Sequence, residues 1–330
     1  MSLIQKVTKV IRISKEKITH RVDFSHTRPL RSDDINVSSD VTRTREKIAL
    51  ILQGPLILRE NFTVETVRLY KKTFSESSLI IISTWKGEDP QTIEALTKLG
   101  AIVLENKKPE YSGIKHINLQ IVSTVNGIKK AKELGATYIL KTRTDQRMYA
   151  PNIEEFLCSI ISLFPVAQGY EQQKRIIGVS LNTFKYRPYS ISDMTLFGTL
   201  YDMERYFDVA EDKKTVPHFH TIRTWSEERL CEVYLSTNFL EKVGRKLSFT
   251  LKDSWEVYRD HFCIIDAQSL DLFWYKYEYW KEYPDRNYKE PKNTQELNFR
   301  EWLILYSAMN NKKTIPEKIL EQQFGDPLSS

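Results

Sequence analysis

The sequence lacks anything long enough to cross a membrane as a helix. No run in its 330 residues approaches the roughly 18–20 apolar positions that a span requires. The N-terminus shows no apolar core followed by a small-residue cleavage site. Neither membrane insertion nor export by that route is expected. Cysteine is scarce, with only Cys158, Cys231 and Cys263. Their number is odd and their spacing fits no metal motif. Buried thiols in a reducing cytoplasm are the expectation. Signatures of nucleic-acid binding are missing as well: no zinc-finger spacing, no aromatic RNP motif and no dense Lys/Arg stripe. No internal repeat is visible.

What is present fits a globular chain with a real core, at 41% hydrophobic and 28% charged residues. The formal net charge is +6 and the pI is near 8.9. This mild excess suits anionic partners such as nucleotides, phosphorylated lipids or an anionic membrane face. On a helical wheel Leu3, Ile4, Val7, Val10 and Ile11 share one face, with Lys6, Lys9 and Arg12 opposite. Such a basic amphipathic helix can rest on an anionic membrane surface or pack on the protein's own body. Residues 20–46 are polar and aperiodic and read as a linker or arm. The expected organisation is an N-terminal segment over 1–46, a nucleotide-binding half over 47–150, and an acceptor-side half of the same domain over 151–330.

From residue 48 the rhythm changes. IALILQ (48–53), LIIIST (79–84), AIVL (101–104) and TYILK are continuous apolar runs, as buried parallel strands are. Helical spacing separates them. Asn61 or Thr63 is placed to cap the first helix, Asp89-Pro90 to start the second, and Gly100 and Gly135 to close the second and third. Alternating strands and helices predict an α/β fold: a Rossmann-type, mostly parallel sheet with flanking helices. Ligands of open sheets bind beyond the carboxyl ends of the strands. Gln53-Gly54-Pro55, Ser83-Thr84-Trp85 and Lys141–Arg147 fall there.

YILKTRTDQR crowds Lys141, Arg143, Asp145 and Arg147 at the end of the fourth strand. It reads either as a solvated loop with an internal Arg–Asp pair or as an anion site. In the second reading Arg143 and Lys141 neutralise phosphate, and Asp145 holds a divalent cation or a sugar hydroxyl. The position resembles that of the Asp-x-Asp motif in GT-A sugar-nucleotide transferases, which binds metal and diphosphate. Here neither Arg143 nor Arg147 is an Asp. One carboxylate makes a poor Mn²⁺ or Mg²⁺ site, so Arg143 is a candidate to do electrostatically what metal does elsewhere.

LQGPL, IISTWKGED, NLQIVSTVNGIKKA and YILKTRTDQR, in this order and spacing, resemble the WavE lipopolysaccharide synthesis family. The likeness is strongest over 47–150 and continues more weakly through ISDMTLFG (191–198), CEVYL and the C-terminal aromatic stretch. It implies a GT-A-like glycosyltransferase, peripheral on the cytoplasmic membrane face. The enzyme would take a nucleotide-sugar donor and a lipopolysaccharide or capsule glycan acceptor. Carried onto this chain, Gln53 and Gly54 meet the base or ribose, with Ser83, Thr84 and Trp85 beside them. Asn118 and Gln120 hydrogen-bond nucleotide or sugar. Asp193 borders the acceptor. Glu232, then Glu228, is the candidate general base, and a shared helix face is expected for these two from their spacing of four. His218, His220 and Asp260-His261 are further metal candidates. The aromatic stretch DLFWYKYEYWKEYPDRNYKE reads as core, with an interfacial role second. Two rivals share the motifs: a nucleotidyl- or phosphosugar transferase, and a non-catalytic nucleotide- or glycan-binding module.

Overall fold

The structure is a computed structural model that describes residues 28–36, 46–214, 222–275 and 295–310, together with helical positions Val7, Val10 and Ser14. The chain divides into two compact units, Met1–Asn36 and Val37–Ser330. In the first, Val7 and Val10 are exposed and Ser32–Asp34 form a single 3-10 turn. The other positions of the amphipathic pattern lie outside the described residues.

The second unit is built on one seven-stranded sheet. Strands β1 (Ile48–Gln53), β2 (Leu79–Trp85), β3 (Ile102–Asn106) and β4 (Tyr138–Arg143) are mutually parallel. Helices α1 (Phe62–Thr73), α2 (Pro90–Lys98) and α3 (Ile117–Glu133) connect them. After β4 the chain makes a short strand, β5 (Gln146–Met148), and helix α4 (Ile153–Leu163). Strands β6 (Ile176–Val179) and β7 (Leu196–Thr199) then extend the same sheet. Next come α5 (Leu200–Phe207), α6 (Ile222–Glu227), α7 (Glu232–Lys242) and α8 (Leu251–His261), followed by β8 (Phe262–Ile265), β9 (Leu272–Trp274) and α9 (Phe299–Asn310). The order across the sheet is β3-β2-β1-β4-β7-β6-β8, and β5 pairs with β9 in a separate ribbon. Strand β7 runs antiparallel to β4 and β6, while β8 is parallel to β6. The expected mostly parallel α/β sheet is therefore the observed one. It takes strands from both sides of residue 150, so the described residues on the two sides share one sheet.

Local chemistry explains the element boundaries. Every residue of β1 is buried, as a strand covered on both faces must be. Asp89 accepts a hydrogen bond from the Thr92 amide at 2.8 Å and Pro90 opens α2. Asn61 does precede α1, but in a left-handed conformation and without a side-chain cap bond. Among the described residues no helix is long and apolar enough to cross a membrane.

Helix α3 lies close on the sheet. A Cβ added at Gly127 would stand 2.6 Å from Ile51 Cγ2, a distance no packed core accepts. Gly127→Ala is expected to lower stability by about 1–3 kcal/mol through overpacking, read as a lower urea midpoint at unchanged m-value.

One expected helix is broken. Glu228 and Glu232 do not share a face, because α6 ends at Glu227 and α7 begins at Glu232. Arg229 and Cys231 between them both have positive φ, +50° and +54°. Burial drives the break: Leu230 and Cys231 pack with Ile114, and Trp225 lies against them.

Candidate active site

The carboxyl ends of β1, β2 and β4 lie side by side, Gln53 opposite both Ser83 and Arg143. Hydrogen bonds lock their side chains into a floor. The Ser83 hydroxyl donates to the Ser123 carbonyl at 2.6 Å and accepts from Asn106 Nδ2 at 2.9 Å. Ser123 donates to Gln53 Oε1 at 3.1 Å. Thr84 donates to Glu88 Oε1 at 3.1 Å, and Glu88 Oε2 accepts the Leu56 amide at 3.2 Å. Glu88, which sequence reasoning passed over, thus ties the first two strand-end loops together. Trp85 is 4% exposed and belongs to the core. Gly54 has φ +122°, and a Cβ there would lie 2.9 Å from Thr144 Oγ1. Its close approach is to the turn that follows β4.

The four charged residues of KTRTDQR separate. Lys141 is fully buried. Its ammonium donates to the Asp193 carbonyl and, at 3.1 Å, to Gln120 Oε1, and it lies 5.9 Å from the centre of the Phe207 ring. Burial pushes its pKa down to about 8. Arg143 grips Asp145 with two parallel bonds, Nε to Oδ1 at 2.7 Å and Nη2 to Oδ2 at 2.9 Å. The side chains are 21% and 9% exposed, so the internal Arg–Asp pair is real but not solvated. Trp274 on β9 completes the arrangement: its Nε1 donates to Asp145 Oδ2 at 3.2 Å and its ring centre is 5.8 Å from the guanidinium. Arg147 turns away. It donates to Thr66 Oγ1, Tyr149 OH and the Phe62 carbonyl at 2.8, 3.0 and 2.9 Å, with the Phe62 ring 4.3 Å from its guanidinium carbon.

A second cluster forms beside Lys141. Because β7 is antiparallel to β4 and pairs Leu196 with Lys141, Asp193 sits just past the end of β4, on the ligand side. Glu232 opens α7 and accepts a hydrogen bond from the Ser190 hydroxyl. Burial pushes the Glu232 carboxyl up to about 7, and the charge of Asp193 adds to the rise; the Ser190 bond and the Arg187 guanidinium act against it. A carboxyl that titrates near neutrality can accept a proton from a hydroxyl. Glu228 is exposed and far less constrained.

The remaining candidates are already engaged. Asn118 donates to the Tyr111 and Asp212 carbonyls at 3.0 and 2.8 Å and accepts the Asp212 amide at 2.6 Å. It clasps two loops. Asp260 pairs with Arg259 at 2.7 and 3.0 Å. Fully buried His261 bonds Gln172 Oε1 at 2.7 Å, and burial lowers its pKa to about 3. His218, His220 and residues 276–290 of the aromatic stretch lie outside the described residues. Among the described residues no group of three His, Cys, Asp or Glu side chains is arranged to hold a metal ion. Asp145 is bound on both oxygens by the Arg143 guanidinium, an arrangement that does not fit a Mn²⁺ or Mg²⁺ ligand.

Solved structures offer distant likenesses. A protein described as a nucleotide-diphospho-sugar transferase, from Desulfovibrio desulfuricans G20, is 10% identical with a TM-score of 0.34, over 85% of this chain and 99% of its own. One described as a glucose-1-phosphate thymidylyltransferase, from Bacillus anthracis and in complex with sucrose, is 8% identical with a TM-score of 0.31, over 61% of this chain and 97% of its own. These scores are too low to assign an activity. No curated protein matches the sequence. The family model for WavE lipopolysaccharide synthesis matches residues 48–324. With its parallel sheet and its strand-end cluster in that span, the chain belongs to the WavE lipopolysaccharide synthesis family.

Proposed function

We propose that this chain is a glycosyltransferase that moves a sugar from a nucleotide-activated donor to a glycan or glycolipid acceptor of lipopolysaccharide or capsule. The observation that carries this reading is the half-buried Glu232 carboxyl at the start of α7, which accepts from the Ser190 hydroxyl and is raised by burial and by the charge of Asp193. Membership of the WavE lipopolysaccharide synthesis family supports a nucleotide-sugar-related transferase. In the reaction, the Glu232 carboxylate takes the proton of an acceptor hydroxyl as its oxygen bonds to the anomeric carbon of the donor sugar. The bond from that carbon to the diphosphate breaks, and the electron pair leaves with the phosphate oxygen. Asp193 holds the acceptor beside Glu232. Arg143, aimed by Asp145 and Trp274, meets the departing diphosphate, where a fixed guanidinium stabilises developing charge. Lys141 is buried too deeply for contact; it adds positive potential from beneath and anchors the Asp193 loop. Gln53, Gly54, Ser83 and Thr84 shape the floor under the nucleotide, and Gln120 steadies Lys141. The N-terminal basic segment places the enzyme peripherally on an anionic membrane face.

Thermal unfolding with UDP-, GDP-, CDP- and CMP-sugars, each in Mn²⁺ and in EDTA, tests the donor half of this reading. One nucleotide class is expected to stabilise the protein by about 2–3 kcal/mol at a hundredfold excess over Kd, equally in EDTA. The turnover product with a bacterial glycan acceptor is expected to carry a new glycosidic bond by mass spectrometry. A phosphodiester product, or no response to any nucleotide in a folded sample, overturns the proposal.

A further inference from the structure

The loop that carries Asp193 begins with a left-handed turn. Tyr189 has φ +60°, a left-handed conformation that is an outlier for a bulky residue. Such a conformation persists only where the surroundings over-determine it, and here they do. The Tyr189 amide donates to Ser254 Oγ on α8 at 2.8 Å. Its carbonyl accepts from Ser236 Oγ on α7 at 2.6 Å. Its phenol donates to Asp253 and accepts the Phe249 amide at 2.8 Å. The Phe249 ring packs edge-on against it, with centroids 5.3 Å apart. Asp253 is itself held by Arg245 and by the Ser248 amide. Tyr189 itself is completely buried.

The next residue is what the clamp presents. Ser190 is also fully buried, and its hydroxyl donates to Glu232 Oε1. We propose that Ser190 is a positioning residue for Glu232, and that the left-handed turn at Tyr189 is the device that aims its hydroxyl. The inference rests on the role of Glu232 proposed above and adds what sets its protonation. Several groups face that carboxyl: Asp193 from the stretch before β7, Arg187 from the turn leading into Tyr189, Cys231 beside it in sequence, Tyr206 on α5 and Tyr258 on α8. Asp193 repels the charged form. A hydroxyl donor favours it, and Ser190 supplies that donor directly.

The test is a direct titration of the Glu232 carboxyl by carbon NMR in the full chain, the resonance being assigned with Glu232→Gln. The pH profile of kcat/KM is measured on the same samples. Ser190→Ala is expected to move the Glu232 midpoint up by about one pH unit. The acidic limb of the rate profile should follow by the same amount, with transfer recovering at higher pH. Tyr189→Phe, which keeps the ring and removes the phenol bonds, is expected to move the midpoint the same way by less. A Glu232 midpoint unmoved by Ser190→Ala overturns the proposal. A moved midpoint with an unmoved rate profile upholds the Ser190–Glu232 couple and removes Glu232 from the role of base.

Discussion

Glu232→Gln is expected to reduce transfer by a factor of about 10²–10⁴, the usual contribution of a positioned general base, while making the protein more stable at pH 8. The two effects share one cause. The carboxyl is raised from its ordinary value of 4.5 to about 7 by burial and by Asp193. Between these two values the folded chain keeps a proton that the unfolded chain has released. Stability therefore falls as pH rises through that window, and the loss is complete above pH 7. Glutamine has the same shape, can still accept from Ser190, and has no proton to lose. Its advantage should be about 2 kcal/mol at pH 8, allowing for partial exposure, and should vanish by pH 4. Urea unfolding of both proteins at the two pH values, beside their kcat at saturating donor, checks it. Lost activity with no gain in stability at pH 8 would mean that Glu232 is not held protonated.

Asp145→Ala should strike the other side of the reaction. It removes two bonds from Arg143 and one from Trp274, leaving a part-buried guanidinium without its counter-charge. Deleting one partner of a buried pair costs about 3–5 kcal/mol. With Arg143 21% exposed, about 2–3 kcal/mol is expected. Donor affinity should fall by at least about tenfold, because an unaimed guanidinium loses its bidentate geometry. Asp145→Asn, which keeps the shape and one acceptor oxygen, should lie between. Calorimetric titration with the donor nucleotide and urea midpoints measure both effects. Unchanged donor affinity in a folded Asp145→Ala protein would remove the pair from the donor site.

The first half of the sheet was legible because its signals are local. Continuous apolar runs marked the four parallel strands, and Asp89-Pro90, Gly100 and Gly135 marked helix ends. The second half was harder to read because its strands are four residues or fewer and its pairings are distant. The site divides the same way. Arg143 and Asp145 are two residues apart, so their pairing was readable. Trp274, 129 residues from Asp145, reaches it through the β5–β9 ribbon, which no periodicity announces. Arg147 looked like a fourth member of the cluster. The turn between β4 and β5 sends it to α1 instead. The expected face shared by Glu228 and Glu232 failed because burial of Leu230 and Cys231 outweighed helical spacing. Charge alone did not reveal that Lys141 is enclosed, since a lysine at a strand end reads the same whether it faces solvent or a carbonyl.

The β5–β9 ribbon also bears on how the protein comes into being. A ribosome makes the chain from its amino end, and Asp145 emerges long before Trp274. Until β9 has left the ribosome, the Arg143–Asp145 pair has no indole beside it and β6 has no β8 neighbour. The strand-end cluster is therefore assembled from parts made 129 residues apart. Whatever chemistry depends on the indole beside that pair must wait until β9 has been made and has folded back onto β5.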